Sequence, residues 1–522
     1  MMAHFSRWLW LGFLLLSCGP GAARAPVKPA AKPRASAPGL VAPRDPLAEP
    51  PPRGLTPDAP FPAIVDRELD NGLRLKLVRH GSYPIVELRL LVLSGKATDG
   101  AGVGTAALAA QMLKAGGAGK WDSRQLLERA ESMGSSLQID TDMDSTEISL
   151  SVLKTDLEPA LEVLAAVAMK PRFSVVEFSK LRQREIERAS SLARTSGRWT
   201  ATMVLYGELY ELPMSVHGYA HYDVTPKQLS KLTLADCRRW HAKQMVPQNA
   251  VLVAAGDVDP ALVERAAQRY FGPWKGELGE PPNFTRPTPP EKLSVFLVDR
   301  PGSAQSEIFV ATLGPERHSE QWVPLRAADQ VLGGGVAGRL FLDVRERSSL
   351  AYSTGSQLVE LAHAPVPILL SAGTQTPKTA HAVKALLEHF EKMGAFPPGP
   401  EEVEIAARYL SDSFLLRLES TGTIADLTAH LAVLGLSNNY YDEYRKAVRS
   451  VDAAAVFEAA KPYFRAGHVL VVVTGDAKSI AKPLTFFGPV QVIDPENEFA
   501  RMKLLPYDPK AELDVPAAAS KP

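Results

Sequence analysis

The chain has 522 residues, room for roughly two to four domains at about 100–200 residues each. Its 58 Lys+Arg balance 58 Asp+Glu, and a formal charge of zero argues against nucleic acid as a partner, which needs a basic footprint. The two cysteines, Cys18 and Cys237, exclude a disulfide framework and any Cys-rich zinc or iron–sulfur site.

Residues 1–17 carry a weakly basic start, His4 and Arg7, and then the apolar run Trp8–Leu16. A helix that short cannot cross a bilayer core, which needs about 20 residues, so the run reads as the apolar region of a signal peptide. Leu15-Leu16-Ser17-Cys18-Gly19 resembles a bacterial lipobox, in which the cysteine is acylated and becomes the mature N-terminus. The rival reading is cleavage after Ala23-Arg24-Ala25, but Pro26 directly after that cut is unfavourable for a protease cleft. Gly19–Pro60 holds 12 prolines and 10 alanines in 42 residues; it reads as an extended tether.

From Phe61 the composition is globular. Gly72–Val78 and Ile85–Leu93 alternate with period two and predict strands. Gly104–Lys114 predicts an Ala-rich helix stopped by Gly116-Gly117, and Ser123–Met133 a second helix. Ser135–Leu153 alternates again, as a hairpin does. Helices follow at Leu157–Met169 and Val175–Arg194, then a Pro/Gly-punctuated loop, a helix at Leu234–Gln244 and a strand at Val251–Ala255. The pattern then recurs: Val251–Asp257 followed by Phe271-Gly-Pro273 is matched by Leu470–Asp476 followed by Phe487-Gly-Pro489. Two ordered matches at nearly one offset predict a duplicated domain. The seam falls in the Pro- and Glu-rich stretch Gly276–Lys292. The expected order is a signal peptide at 1–17, a tether at 18–60 after a lipidated Cys18, a first domain at 61–276, a linker at 277–293, a second domain at 294–508 and a tail at 509–522. The fold class is α+β.

Four stretches carry a family resemblance: Asp70–His80, His217–Asp259, Asp299–Pro315 and Val331–Leu358. They resemble the insulinase/pitrilysin family of zinc metallopeptidases, in its bacterial and mitochondrial-processing-type branch, over about Pro62–Pro506. The resemblance implies two homologous halves, each an antiparallel β-sheet covered by α-helices, closing like a clamshell on a peptide. Family enzymes place H-x-x-E-H on the first long helix, with two His as zinc ligands and the Glu as general base. Aligned on Met112-Leu113, those positions are Ala107, Ala110 and Gln111. Methyl groups cannot ligate a metal, and a neutral amide is a poor zinc ligand. The family's third ligand maps to Glu185 or Glu187, either of which also reads as a helix-surface charge. His217 and His221 read as loop histidines, His381 and His389 as ordinary helix residues, and Cys237 as a buried residue. No metal or other cofactor is expected on this chain, and zinc only in a partner.

Arg345 and Tyr352, separated by six residues, match the family's substrate-binding Arg–Tyr pair, whose donors serve a peptide carbonyl and a developing oxyanion; Arg347 is the alternative arginine. As plain structure, Arg345 is a solvated charge and Tyr352 a core residue at a strand start. Gly333–Gly338 is not a phosphate loop, since no Gly-Lys-Ser/Thr follows; it reads as a turn after a helix. Ser136–Asp142 matches the family's substrate-binding edge strand. Asp140, Asp142 and Asp144 make that edge acidic, which either favours basic peptides or deters edge aggregation.

These readings lead to a non-catalytic, peptidase-like subunit. It pairs with a zinc-bearing homologue in the cell envelope, lipid-anchored, facing the periplasm and sorted to the outer membrane, and binds peptide or unfolded protein. The alternatives are a lipid-anchored peptide-binding or scaffold protein without proteolysis, and a zinc endopeptidase with atypical ligands.

Overall fold

Alternating strands and apolar-faced helices build two sheets. The computed structural model describes residues 59–100, 102–211, 217–279 and 284–514; the signal peptide, Cys18 and nearly all of the tether lie outside them, as do parts of the linker and tail. From Pro60 on, the chain packs as one unit. The first sheet contains β1 (Ile64–Glu68), β2 (Arg74–Arg79), β3 (Ile85–Val92), β4 (Gln138–Thr141), β5 (Thr146–Leu153) and β6 (Ala250–Gly256), in the order β1-β2-β6-β3-β5-β4. The second contains β7 (Ser294–Asp299), β8 (Gln305–Leu313), β9 (Ser353–Leu358), β10 (Pro367–Gln375), β11 (Leu470–Gly475), β12 (Val490–Asp494) and β13 (Ala500–Leu505), in the order β13-β12-β7-β11-β8-β10-β9. The duplication read from the sequence is therefore a duplication of sheets, with β6 and β11 in equivalent central places.

The sheets are mostly antiparallel, with a correction. β2 runs parallel to β6, and β7 parallel to both β11 and β12. The partners of each parallel pair are far apart in the chain, with other strands and helices between them, so no tight turn forces them antiparallel.

In the first half the helices are α1 (Thr105–Ala115), α2 (Ser123–Glu131), α3 (Leu157–Met169), α4 (Val175–Thr195), α5 (Gly197–Leu209), α6 (Pro226–Lys231), α7 (Leu234–Gln244) and α8 (Pro260–Phe271). In the second they are α9 (Trp322–Leu332), α10 (Thr379–Ala395), α11 (Pro400–Arg417), α12 (Thr421–Val433), α13 (Tyr440–Arg449), α14 (Ala453–Ala460) and α15 (Ala477–Leu484). No helix among the described residues is long and apolar enough to cross a membrane.

Each half covers one sheet face with its own helices and gives one helix to the other half. α5 lies on β8 and β11, and α12 lies on β3 and β6. Ala201, Val204 and Leu205 of α5 pack with Phe309 and Val472 of the second sheet. Ile424, Ala425 and Leu427 of α12 pack with Val251, Val253 and Ala255 of the first. The opposite faces of β6, Leu252 and Ala254, meet the first half's own helices. This double burial explains why β6 and β11 read as continuous apolar runs. It also corrects the sequence reading between Arg194 and Leu234, where α5 and α6 stand in place of a loop.

Candidate functional site

The helix that matches the family's zinc helix is α1. It starts at Gly104, whose φ of 92° is open to glycine at little cost, and its first N–H groups are satisfied by Asp99. The Asp99 carboxylate accepts from Gly104 N and Ala106 N, both at 2.7 Å. Burial pushes the Asp99 pKa up to about 7, against the pull of these bonds. Ala110 is buried, while Ala107 and Gln111 are half-buried, one turn apart. The three positions offer two methyl groups and an amide.

α4 passes α1 and carries both candidates for the third ligand. Glu187 is exposed and accepts from Gln183 Nε2. Glu185 is the inward one, its side chain 17% exposed, and its carboxylate accepts from Arg188 Nε at 2.6 Å. Arg188 also holds Asp223 through both terminal nitrogens, at 3.0 and 3.1 Å, and the Trp199 indole donates to the same carboxylate at 2.8 Å. Burial opposes the Arg188 charge, but Asp223 and Glu185 outweigh it and raise the pKa. Burial likewise opposes the Asp223 charge, and Lys96, Arg188 and Trp199 overcome it. A guanidinium thus supplies the countercharge for Glu185. The residues present do not fit zinc: one ligand position is a methyl group, the other a neutral amide, which is a poor zinc ligand, and the remaining carboxylate is engaged. Among the described residues no group of three His, Cys, Asp or Glu is placed to hold a metal ion.

The Arg–Tyr pair lies on the second half. Arg345 belongs to the π-helical stretch Phe341–Arg347. Its guanidinium carbon stands 4.7 Å from the Phe341 ring centre, and its Nε 3.6 Å from Glu346. Arg347 pairs with Asp343 instead. Tyr352 enters β9 with its amide donating to Gly373 O. Its ring rests on Gly373, where a Cβ would come within 2.6 Å of it. Tyr352 is 49% exposed, so it is no core residue. Its hydroxyl lies 3.2 Å from Glu307 and 3.5 Å from Gln305, both on β8. Burial and then the Glu307 charge raise the phenol's pKa. No hydrogen bond joins Arg345 to Tyr352 among the described residues.

β4 is an edge strand, as the resemblance implies. Its acidity is largely internal, which corrects the reading of Asp142 and Asp144. Asp142 accepts from the Asp144 and Ser145 amides and shapes the β4–β5 turn. Asp144 is buried; it accepts from the Tyr219 hydroxyl and from Ala362 N of the second half, and Tyr219 in turn accepts from His363 N. Burial, then repulsion from Asp142, pushes Asp144 up to about 7. Asp140, half-buried, faces Glu147 across the strand pair.

The other singled-out residues fill structural places. His217 accepts from Tyr219 N. His221 is half-buried, His381 meets Asp514, and His389 lies 3.4 Å from Asp343. Cys237 is a buried free thiol whose pKa burial pushes up to about 12. Gly333 closes α9 and accepts from Ser356 N of β9.

Two sheets that exchange helices, with α1 offering two methyl groups and an amide toward α4 and a phenol exposed on the second sheet, define a peptidase-like two-half protein. The family model described as "Insulinase (Peptidase family M16)" matches residues 77–203, and the one described as "Peptidase M16 inactive domain" matches 231–410. The chain belongs to the insulinase family. It is 24% identical over 324 residues to an uncharacterized zinc protease of Mycobacterium leprae, covering 61% of this chain and 70% of that one. It is 25% identical over 354 residues to the "Non-peptidase homolog YmxG" of Helicobacter pylori, covering 66% and 78%. The "Zinc protease PqqE" of the same species is 21% identical over 332 residues, covering 62% and 73%. Among solved structures, the peptidase M16 inactive domain from Pseudomonas fluorescens has the same fold, with a TM-score of 0.73 at 23% identity over 79% of this chain and 98% of that one.

Proposed function

We propose that this chain is the non-catalytic subunit of a two-chain peptidase. It pairs with a zinc-bearing homologue and contributes Arg345 and Tyr352 to the binding of peptide or unfolded protein. The observation that carries this reading is the split between the halves. Every zinc position on α1 is lost, and Glu185 is neutralised by Arg188, while the Tyr352 phenol remains exposed on the second sheet. The occurrence in one organism of a relative named a zinc protease and another named a non-peptidase homolog supports a division of labour. The metal belongs to the partner in this reading. The location is the periplasmic side of the outer membrane, through a lipid on Cys18 and a tether over Gly19–Pro60.

The test is reconstitution. This chain and a homologue bearing H-x-x-E-H are purified together from the native host, and peptidase activity and gel-filtration mass are measured on the same sample. Co-elution with activity exceeding that of the homologue alone supports the reading. A homologue equally active without this chain overturns it and gives the lead to an anchored scaffold.

A further inference from the structure

α5 is the helix that the first half gives to the second, and it sets its first residues beside the phenol of Tyr352. Gly197 packs on β8: a Cβ there would stand 3.6 Å from Glu307 Cγ. The next residue, Arg198, is exposed, and its guanidinium carbon lies 5.5 Å from the Phe309 ring centre. Phe309 follows Glu307 by two residues on β8, so both project from one face of the sheet. Gly373 stands opposite Glu307 in the β8–β10 register and seats the Tyr352 ring. A cation from one half, and a carboxylate and a phenol from the other, therefore converge on one face. The Arg198 guanidinium enters no ion pair or hydrogen bond among the described residues, and its charge acts on both Glu307 and Tyr352. Arg345 does not act on either in this way; it stacks on Phe341.

The first half provides an internal comparison. Glu87 is the third residue of β3, as Glu307 is of β8, and Gly422 of α12 packs near it as Gly197 packs near Glu307. Glu87 is closed off: it accepts from Arg89 at 2.9 Å and Ser151 at 2.6 Å, and it is buried. Glu307 has the phenol at 3.2 Å as its hydrogen-bond partner and is half-buried; the Arg300 guanidinium, which also acts on its charge, donates to the Arg194 and Thr195 carbonyls instead. The duplicated arrangement is saturated in one half and open in the other.

We propose that Arg198, Glu307 and Tyr352 form a subsite for the backbone N–H and C=O of one residue of an extended peptide, which face the same side of the strand, with Arg198 the guanidinium that completes the site. The proposal rests on the peptide-binding role given above. That residue's N–H donates to Glu307, and its own carbonyl accepts from Arg198. Once Glu307 has this new donor, the phenol turns its hydrogen to the same carbonyl. A neutral amide matches both charges. A free carboxylate meets Glu307, and an amine meets Arg198, each with repulsion.

Two measurements on the isolated chain test this apart from any partner. The first follows the Tyr352 phenol by NMR with ring-labelled tyrosine, assigned by its loss in Tyr352→Phe. Arg198→Ala moves its titration to higher pH, and Arg345→Ala leaves it in place. The second measures binding of an uncharged decapeptide, acetylated and amidated at its ends and labelled with a fluorophore, by anisotropy. Arg198→Ala weakens binding roughly tenfold or more, the factor of a lost charge-assisted hydrogen bond, and Arg198→Lys restores part of it. Overturning results are a phenol titration unmoved by Arg198→Ala, wild-type-like binding by that variant, no binding by the wild type, or tighter binding of the same decapeptide with a free carboxylate end. Failure of the partnership reading appears elsewhere, as a homologue that gains nothing from this chain.

Discussion

Tyr352 is the residue at which the functional reading can be tested with least disturbance. Tyr352→Phe keeps the ring on Gly373 and removes only the hydroxyl. In the reconstituted complex this is expected to lower turnover by about 10²–10³, the typical cost of one lost oxyanion donor, with the melting temperature unchanged. Full activity from the variant in an intact complex makes the phenol structural. Asp144 gives a second test. Its ordinary value of 3.8 is raised to about 7 in the fold, so the folded state holds the proton more tightly than the unfolded chain. Its stabilising contribution is complete below about pH 4 and is lost as pH rises through about 7. Histidines such as His221 and His363, whose pKa values are lowered by desolvation, act in the opposite sense below about pH 6.5, so the measurement is a difference. The melting temperature of Asp144→Asn minus that of wild type is expected to grow between about pH 4 and pH 8. An asparagine can still accept from Ala362 N and donate to the Tyr219 oxygen. A difference that is flat with pH removes Asp144 from the titration.

At the scale of the element, α1 keeps the fold of a zinc helix without its chemistry. Asp99 caps it, so Asp99→Ala is expected to cost about 0.5–2 kcal/mol, read from the urea midpoint; no change in midpoint counts against the cap. EDTA is expected to leave the melting temperature untouched, because Ala107 and Gln111 replace the ligands through which a metal would stabilise the fold, and one equivalent of zinc after dialysis contradicts this. α3 and α7 run between the residues read from the sequence, Leu157–Met169 and Leu234–Gln244, because each presents a single apolar face with clear stops. α5 was illegible for the opposite reason. It is buried against its own half and the other sheet at once, so its apolar residues follow no helical period. Ser196, which accepts from Trp199 N, is the cap that could have revealed it. With α5 went Arg198, which, like Glu307 of the proposed subsite, carried no sequence signal.

For the whole molecule, the exchanged helices α5 and α12 and the contact of Asp144 and Tyr219 with Ala362 and His363 tie the halves together. The anchor is a separate prediction. Cys18→Ser is expected to move the protein from the membrane fraction to the soluble envelope fraction, because a lipid chain contributes about 0.8 kcal/mol per buried methylene and the variant has none. Identical fractionation of variant and wild type in the soluble fraction overturns it.

The sequence by itself determined the duplication, the α+β class, most strands and several helices, and the loss of the zinc positions at Ala107, Ala110 and Gln111, because these are matters of local period and of side-chain chemistry. Only the tertiary structure decided which glutamate faces inward, that Asp142 and Asp144 serve a turn and a contact between halves, and that Arg198 stands beside Glu307 and Tyr352. Those facts depend on where the chain returns after crossing from one sheet to the other. Arg198 and Tyr352 are 154 positions apart in the chain, and no local pattern encodes a separation that only packing closes.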